Sequence, residues 1–243
     1  MTITSAPQRS GHQAPRSQAI LIVAVVAAMV LAGLGVALAL LGRGARSPGS
    51  GVRGSGVAAS QPRALPAFSS LDLAGSNDVT VLVGSPQSVV VHADSNLISN
   101  VTTSVVGGTL VIGDTGSFTT RSLMNVDVSV PSLAALTLSG DGQLSVTGIS
   151  APQLTVSIPG SGLLSASGTA TRLDVTLDGD GQAQLSQLTA RDVHAVLAGS
   201  GLIQVNATAS LDAAVPGSGM IMYSGNPPHV TTSVTGTGTV LGR

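Results

Sequence analysis

A short motif, Gly-x-Gly, recurs six times in the second half of the chain. The copies are Gly140-Asp141-Gly142, Gly160-Ser161-Gly162, Gly179-Asp180-Gly181, Gly199-Ser200-Gly201, Gly217-Ser218-Gly219 and Gly236-Thr237-Gly238, at intervals of 20, 19, 20, 18 and 19 residues. One match would mean little, but six with the same flanks define an internal repeat. Two, four and six residues before the first Gly the side chains are mostly apolar, as in Ile158, Val156 and Leu154 or Leu177, Val175 and Leu173, and Ala134 takes the last of these places in the first copy. Four and six residues after it lie pairs such as Leu144 and Val146 or Leu164 and Ala166. Alternation with period two marks half-buried strands, so each copy reads as strand, glycine corner, strand.

Strands this short cannot bury an apolar face alone, and successive copies must stack to share one core. The expectation is an all-β, right-handed β-solenoid in which equivalent residues lie about 4.8 Å apart and six coils span roughly 29 Å. An antiparallel meander sandwich competes with it, because Gly-x-Gly also suits hairpins. The same template occurs once near the start, where Leu71 and Leu73 precede Gly75-Ser76-Asn77 and Val79, Val81 and Val83 follow. Residues 68–131 are less regular, with a hairpin expected around Gly107-Gly108, and read as the first coils of one domain covering 68–243.

Composition excludes several chemistries. The chain has no Lys, Glu, Cys or Trp, and 31 Gly among 243 residues. Without Cys there is no disulfide, zinc–thiolate site, cysteine nucleophile or lipidated cysteine. Six Arg precede the β-domain, whereas inside it four Arg face 11 Asp, leaving a charge near −7. A nucleic-acid partner needs a basic face and is not expected.

Residues 1–18 form a short tail. From Ala19 to Leu41 run 23 residues without a charge, enough to cross a ~30 Å hydrocarbon layer as one helix. Ala37-Leu38-Ala39 offers the alternative of a cleaved signal peptide, but the apolar run exceeds the usual signal core. Residues 42–67 are rich in Gly, Ser, Ala and Pro and read as a flexible tether. Arg flanks both sides of the span, so charge does not set its orientation.

The stretches FSSLDLAGSNDVTVLVG, VGGTLVIG and NVDVSVPSLAALTLSGDGQLSV, with the repeated GSG corners, resemble the bacterial auto-transporter adhesin head domain, or head GIN domain. The resemblance covers about Phe68 to Val240. It implies a β-helix-like domain, exported or surface-anchored, and hence a single-pass membrane protein with its β-domain outside the cytoplasm. It brings no catalytic residues, and this chain departs from many members in lacking a lipoprotein cysteine, a role the apolar span would fill.

Two groups of side chains could carry chemistry. Five residues before the first Gly of the second to sixth copies lie Thr155, Asp174, His194, Asp212 and Thr231, so stacking would align Asp174, His194 and Asp212 as a site for a divalent metal or cationic ligand, or as an exposed charge ladder. Arg172 and Asp192 fall in the adjacent row as a candidate surface ion pair. At the corners, Asp141 and Asp180 share a register two coils apart, with Asp178 beside them. Their separation of about 9.6 Å would lie at the edge of the range for inverting glycosidases. His92 and His229 have no evident partner. The expected function is a non-catalytic adhesion or interaction module with a surface protein or glycan as ligand and no cofactor. The alternative is a polysaccharide-active enzyme of glycosidase or lyase type. The C-terminal coil is expected to be an association edge, either for a second copy or for a partner strand.

Overall fold

The computed structural model describes residues 51–243, and every regular element among them is a β-strand. The tail, the expected membrane span Ala19–Leu41 and the start of the tether lie outside the described residues. In chain order the strands are β1 (Val52–Arg53), β2 (Ala58–Pro62), β3 (Ser70–Leu73), β4 (Asp78–Val83), β5 (Ser88–Asp94), β6 (Val101–Val106), β7 (Thr109–Asp114), β8 (Phe118–Thr119) and β9 (Asn125–Val130). The repeats follow as β10 (Ala135–Leu138), β11 (Gln143–Ile158), β12 (Leu163–Leu177), β13 (Gln182–Leu197), β14 (Leu202–Val215), β15 (Met220–Ser224), β16 (His229–Val234) and β17 (Thr239–Gly242).

From β10 onward the structure is a β-solenoid, which excludes the meander. Each strand pairs in parallel with its counterpart one repeat later, so that Leu154, Leu173, Val193, Leu211 and Val230 form one continuous row. Leu154, Val175 and Leu197 are fully buried, as alternation requires. Ala134 is a small exception: it is exposed, and Leu133 beside it enters the core.

The corners explain why glycine recurs. A Cβ added at Gly160 would fall on the carbonyl oxygen of Gly140, one at Gly179 on that of Gly160, and one at Gly199 on that of Gly179. Corners thus stack backbone on backbone, and any side chain there would force coils apart. Each also has a second bend that the motif does not show. There the register slips between Val146 and Ile149, Ser165 and Ser167, and Leu185 and Thr189, which absorbs the spread in repeat length while the corners stay in phase.

The N-terminal half corrects two expectations. Residues 70–83 do form a coil, β3 and β4, which stacks directly on β10 and β11. Its other side is covered by a later segment, since β7 pairs with β3 and β9 with β4. Coil order in space therefore differs from chain order. Antiparallel strands close this end: β5 pairs with β9 and β2, and β6 with β7 through the expected turn, where Gly107 and Gly108 take φ of +58° and +79°. Positive φ at both central residues is what a tight hairpin needs.

The second correction concerns 51–67, which are part of this domain rather than a tether. β2 joins the sheet through its backbone while exposing its side chains, so low hydrophobicity does not count against it. β1 pairs with β8, and the buried Asp94 fastens both by accepting bonds from the amides of Gly56 at 2.7 Å, Arg121 at 2.8 Å and Ser122 at 3.3 Å. These donors, Arg121 foremost, lower its pKa from 3.8 to about 2.

Candidate functional site

Stacking brings Asp174, His194 and Asp212 into one outward row, flanked by Thr155 and Thr231. The three do not act together. His194 Nδ1 donates to Asp212 Oδ2 at 3.2 Å, whereas Asp174 turns to Arg172 at 3.0 Å and to Gln153 Nε2 at 3.0 Å. Arg172 is thus paired along its own strand and not with Asp192, which instead accepts from Ser210 Oγ at 2.7 Å. The i, i+2 geometry wins because both side chains lie on one face of β12. Among the described residues no group of three or more His, Cys, Asp or Glu is placed to hold a metal.

Asp141, Asp178 and Asp180 are all exposed at their corners. An open groove of about 340 Å³ takes in Asp141 with Asp78, Ser161 and Gln182, but neither Asp178 nor Asp180 lines it. A general acid requires an environment that disfavours its charge. Asp72 is the carboxyl that burial pushes up, and its bond from Ser139 Oγ at 2.7 Å partly offsets this.

His92 has partners that the sequence does not reveal, while His229 is exposed on β16. The His92 Nε2 donates to Asp127 at 3.1 Å, leaving its Nδ1 to accept from the Ser60 hydroxyl at 2.8 Å. The order is that of a hydrolytic triad, yet it lies on a sheet face with His92 33% and Asp127 53% exposed, where such contacts tie strands together and contribute little else.

The first corner differs from the rest. Its second glycine is replaced by Asn77, and the coil outside it has no tight corner but a strap, 115–124, drawn away toward β1. Between Ser76–Asp78 and Thr120–Met124 lies a cleft of about 430 Å³. Asn77 is 1% exposed; its Nδ2 donates to Asp114 Oδ1 at 2.7 Å and its Oδ1 has no protein partner. Asp114 also accepts from the Ser76 amide at 2.9 Å. On the strap, the buried Ser122 Oγ makes no close hydrogen bond, although it lies near enough to the Asp94 carboxylate to favour its charged form. The Asn in a glycine register was the available sequence signal.

Comparison with known proteins agrees with this architecture. The family model described as "Putative auto-transporter adhesin, head GIN domain" matches residues 67–227. Solved structures with a similar fold include a putative adhesin from Bacteroides fragilis NCTC 9343, at TM-score 0.67 and 21% identity over 79% of this chain and 100% of the other. A putative adhesin from Parabacteroides distasonis ATCC 8503 matches at TM-score 0.53 and 22% identity over 80% and 100%. A putative lipid binding protein from the same organism matches at 0.51 and 21% over 80% and 100%. No curated protein matches the chain.

Proposed function

Because the chain belongs to the auto-transporter adhesin head GIN domain family, we propose that it is a non-catalytic adhesion module displayed outside the cell and held to the membrane by Ala19–Leu41. The family match carries this reading. Support comes from outward faces dominated by Ser, Thr and Gln on a rigid parallel stack, a surface suited to contact. In this reading the coils wind right-handed, as parallel crossovers nearly always do. Protease treatment of intact cells tests the placement: the β-domain should be removed while an amino-terminal reporter stays protected. The reverse pattern would overturn it. Hydrolysis of polysaccharide that disappears in a combined Asp141→Asn and Asp180→Asn variant would replace adhesion with catalysis.

The last coil is proposed as an edge for a second copy. β16 pairs through one edge only, and Val230 and Val234 are 41% and 46% exposed although they continue the buried rows of Leu211 and Val215. The opposite end is covered by antiparallel strands, so among the described residues this edge has no unlike edge to meet, and pairing with the same edge of a second copy would close a dimer. A short polar extension after Arg243 should abolish self-association in sedimentation without changing the fold. A monomer at high concentration without that extension would rule the edge out.

A further inference from the structure

We infer that the cleft beside the first corner binds a neutral, hydroxyl-rich ligand, in chemical terms a sugar unit of a glycan. The inference rests on the adhesion reading and deepens it by naming a ligand class and a place. Its starting point is Asn77. Because Asp114 can only accept, it fixes the amide with Nδ2 toward the carboxylate, which leaves Oδ1 as the free acceptor. An acceptor this deeply buried is costly unless something supplies a hydrogen.

The other lining groups narrow what that something is. Ser122 Oγ can donate or accept, Asp78 accepts and Arg121 donates, so the complementary group must do both, as a hydroxyl does. Calcium would need six to eight oxygens, far more than Asn77, Asp78 and Ser122 provide, and Arg121 would repel it. An anion would face Asp78 and Asp114. Apolar surface is also present: Leu123 is 82% exposed and Met124 lines the same wall. An adjoining lobe of about 570 Å³, sharing Ser76, Thr120 and Met124, adds Phe118, one of the chain's three aromatic residues. Such volumes lie within the range of small-molecule sites, and apolar walls with a few fixed polar groups are their usual composition.

The test is calorimetric titration of the full chain with mannotetraose, cellotetraose and chitotetraose, repeated on Ser122→Ala and Leu123→Asp. Both substitutions lie on the strap and outside the solenoid core. At least one sugar should bind saturably and lose fivefold or more in affinity in each variant. Failure of all three sugars to saturate at millimolar concentration, or binding unchanged in both variants, overturns the site. Adherence of cells displaying the chain is measured in parallel. Adherence without sugar binding would show the ligand class wrong and the adhesion reading intact, whereas loss of both would remove that reading too.

Discussion

The repeat array and the N-terminal half reach the same end, a buried apolar core, by opposite means. In the array each coil meets a copy of itself, so one local solution, glycine at the corner and alternating Leu, Val and Ala, serves every repeat. In the N-terminal half the outermost coil has no copy beyond it. There antiparallel strands, a hairpin and the Asp94 clip close the core, each by a device used once. Periodic structure is therefore sensitive at every repeat, while the cover is sensitive at a few single residues.

The largest effect is expected at the array's corners. Gly199→Val would drive a branched side chain into the Gly179 carbonyl, with no flexible neighbour to yield. Overpacking of this kind costs about 3 kcal/mol or more, readable as a large shift in the denaturation midpoint. A loss under about 1 kcal/mol would mean that corners do not stack as closely as the solenoid requires.

Next come the buried rows. Leu154→Ala should cost about 2–5 kcal/mol, the usual range for a large-to-small change in a packed core. Val230 continues the same row but is 41% exposed in the single chain, and in the monomer carrying the polar extension after Arg243 Val230→Ala should stay within roughly 0.5 kcal/mol. Equal effects would show that something covers the last coil in solution.

The glycine corners and inward rows were legible because identical neighbours make local pattern and tertiary environment the same thing. The alignment of Asp174, His194 and Asp212 was legible for the same reason. The second bend was not, since no one residue type marks it: Gly148 and Gly168 give way to Gln187 and Thr208 in the later repeats. The coil order was hidden because nothing in residues 109–130 says they pair with 70–83 on the side away from the array. Strand β2 was hidden because edge pairing uses backbone groups that every sequence carries, and with it went the contact of Ser60 to His92. The cleft at Asn77 depends on a strap whose path is set by β1, itself unforeseen.

A smaller and more local effect is expected at the clip. Asp94→Asn keeps the size but weakens acceptance from three amides, so Gly56, Arg121 and Ser122 should lose roughly tenfold or more of their exchange protection while the array keeps its own. Because the folded pKa is lowered to about 2 from 3.8, the carboxylate contributes stability above the ordinary value, and that contribution is lost as pH falls toward 2. The Arg121 amide resonance should titrate near 2. A midpoint near 3.8 would mean that the clip is open in solution.

The least effect is expected where charge is most conspicuous. His194 and Asp212 lie 3.2 Å apart at 43% and 60% exposure, and contacts between groups so open to water contribute about 0–1 kcal/mol. Asp212→Asn should therefore change stability by less than about 0.5 kcal/mol. Asp174 does not join them, because Arg172 at 3.0 Å holds it along its own strand and would oppose a cation entering the row. Thermal melts with and without millimolar zinc separate a charge ladder from a metal site, since a ligand that binds only the folded state raises its stability by mass action. A ladder predicts the same midpoint for wild type and Asp212→Asn in both conditions. Zinc stabilisation of the wild type that disappears in Asp212→Asn would place a metal at this row, and the array would then carry a site at the very positions where its repetition is most regular.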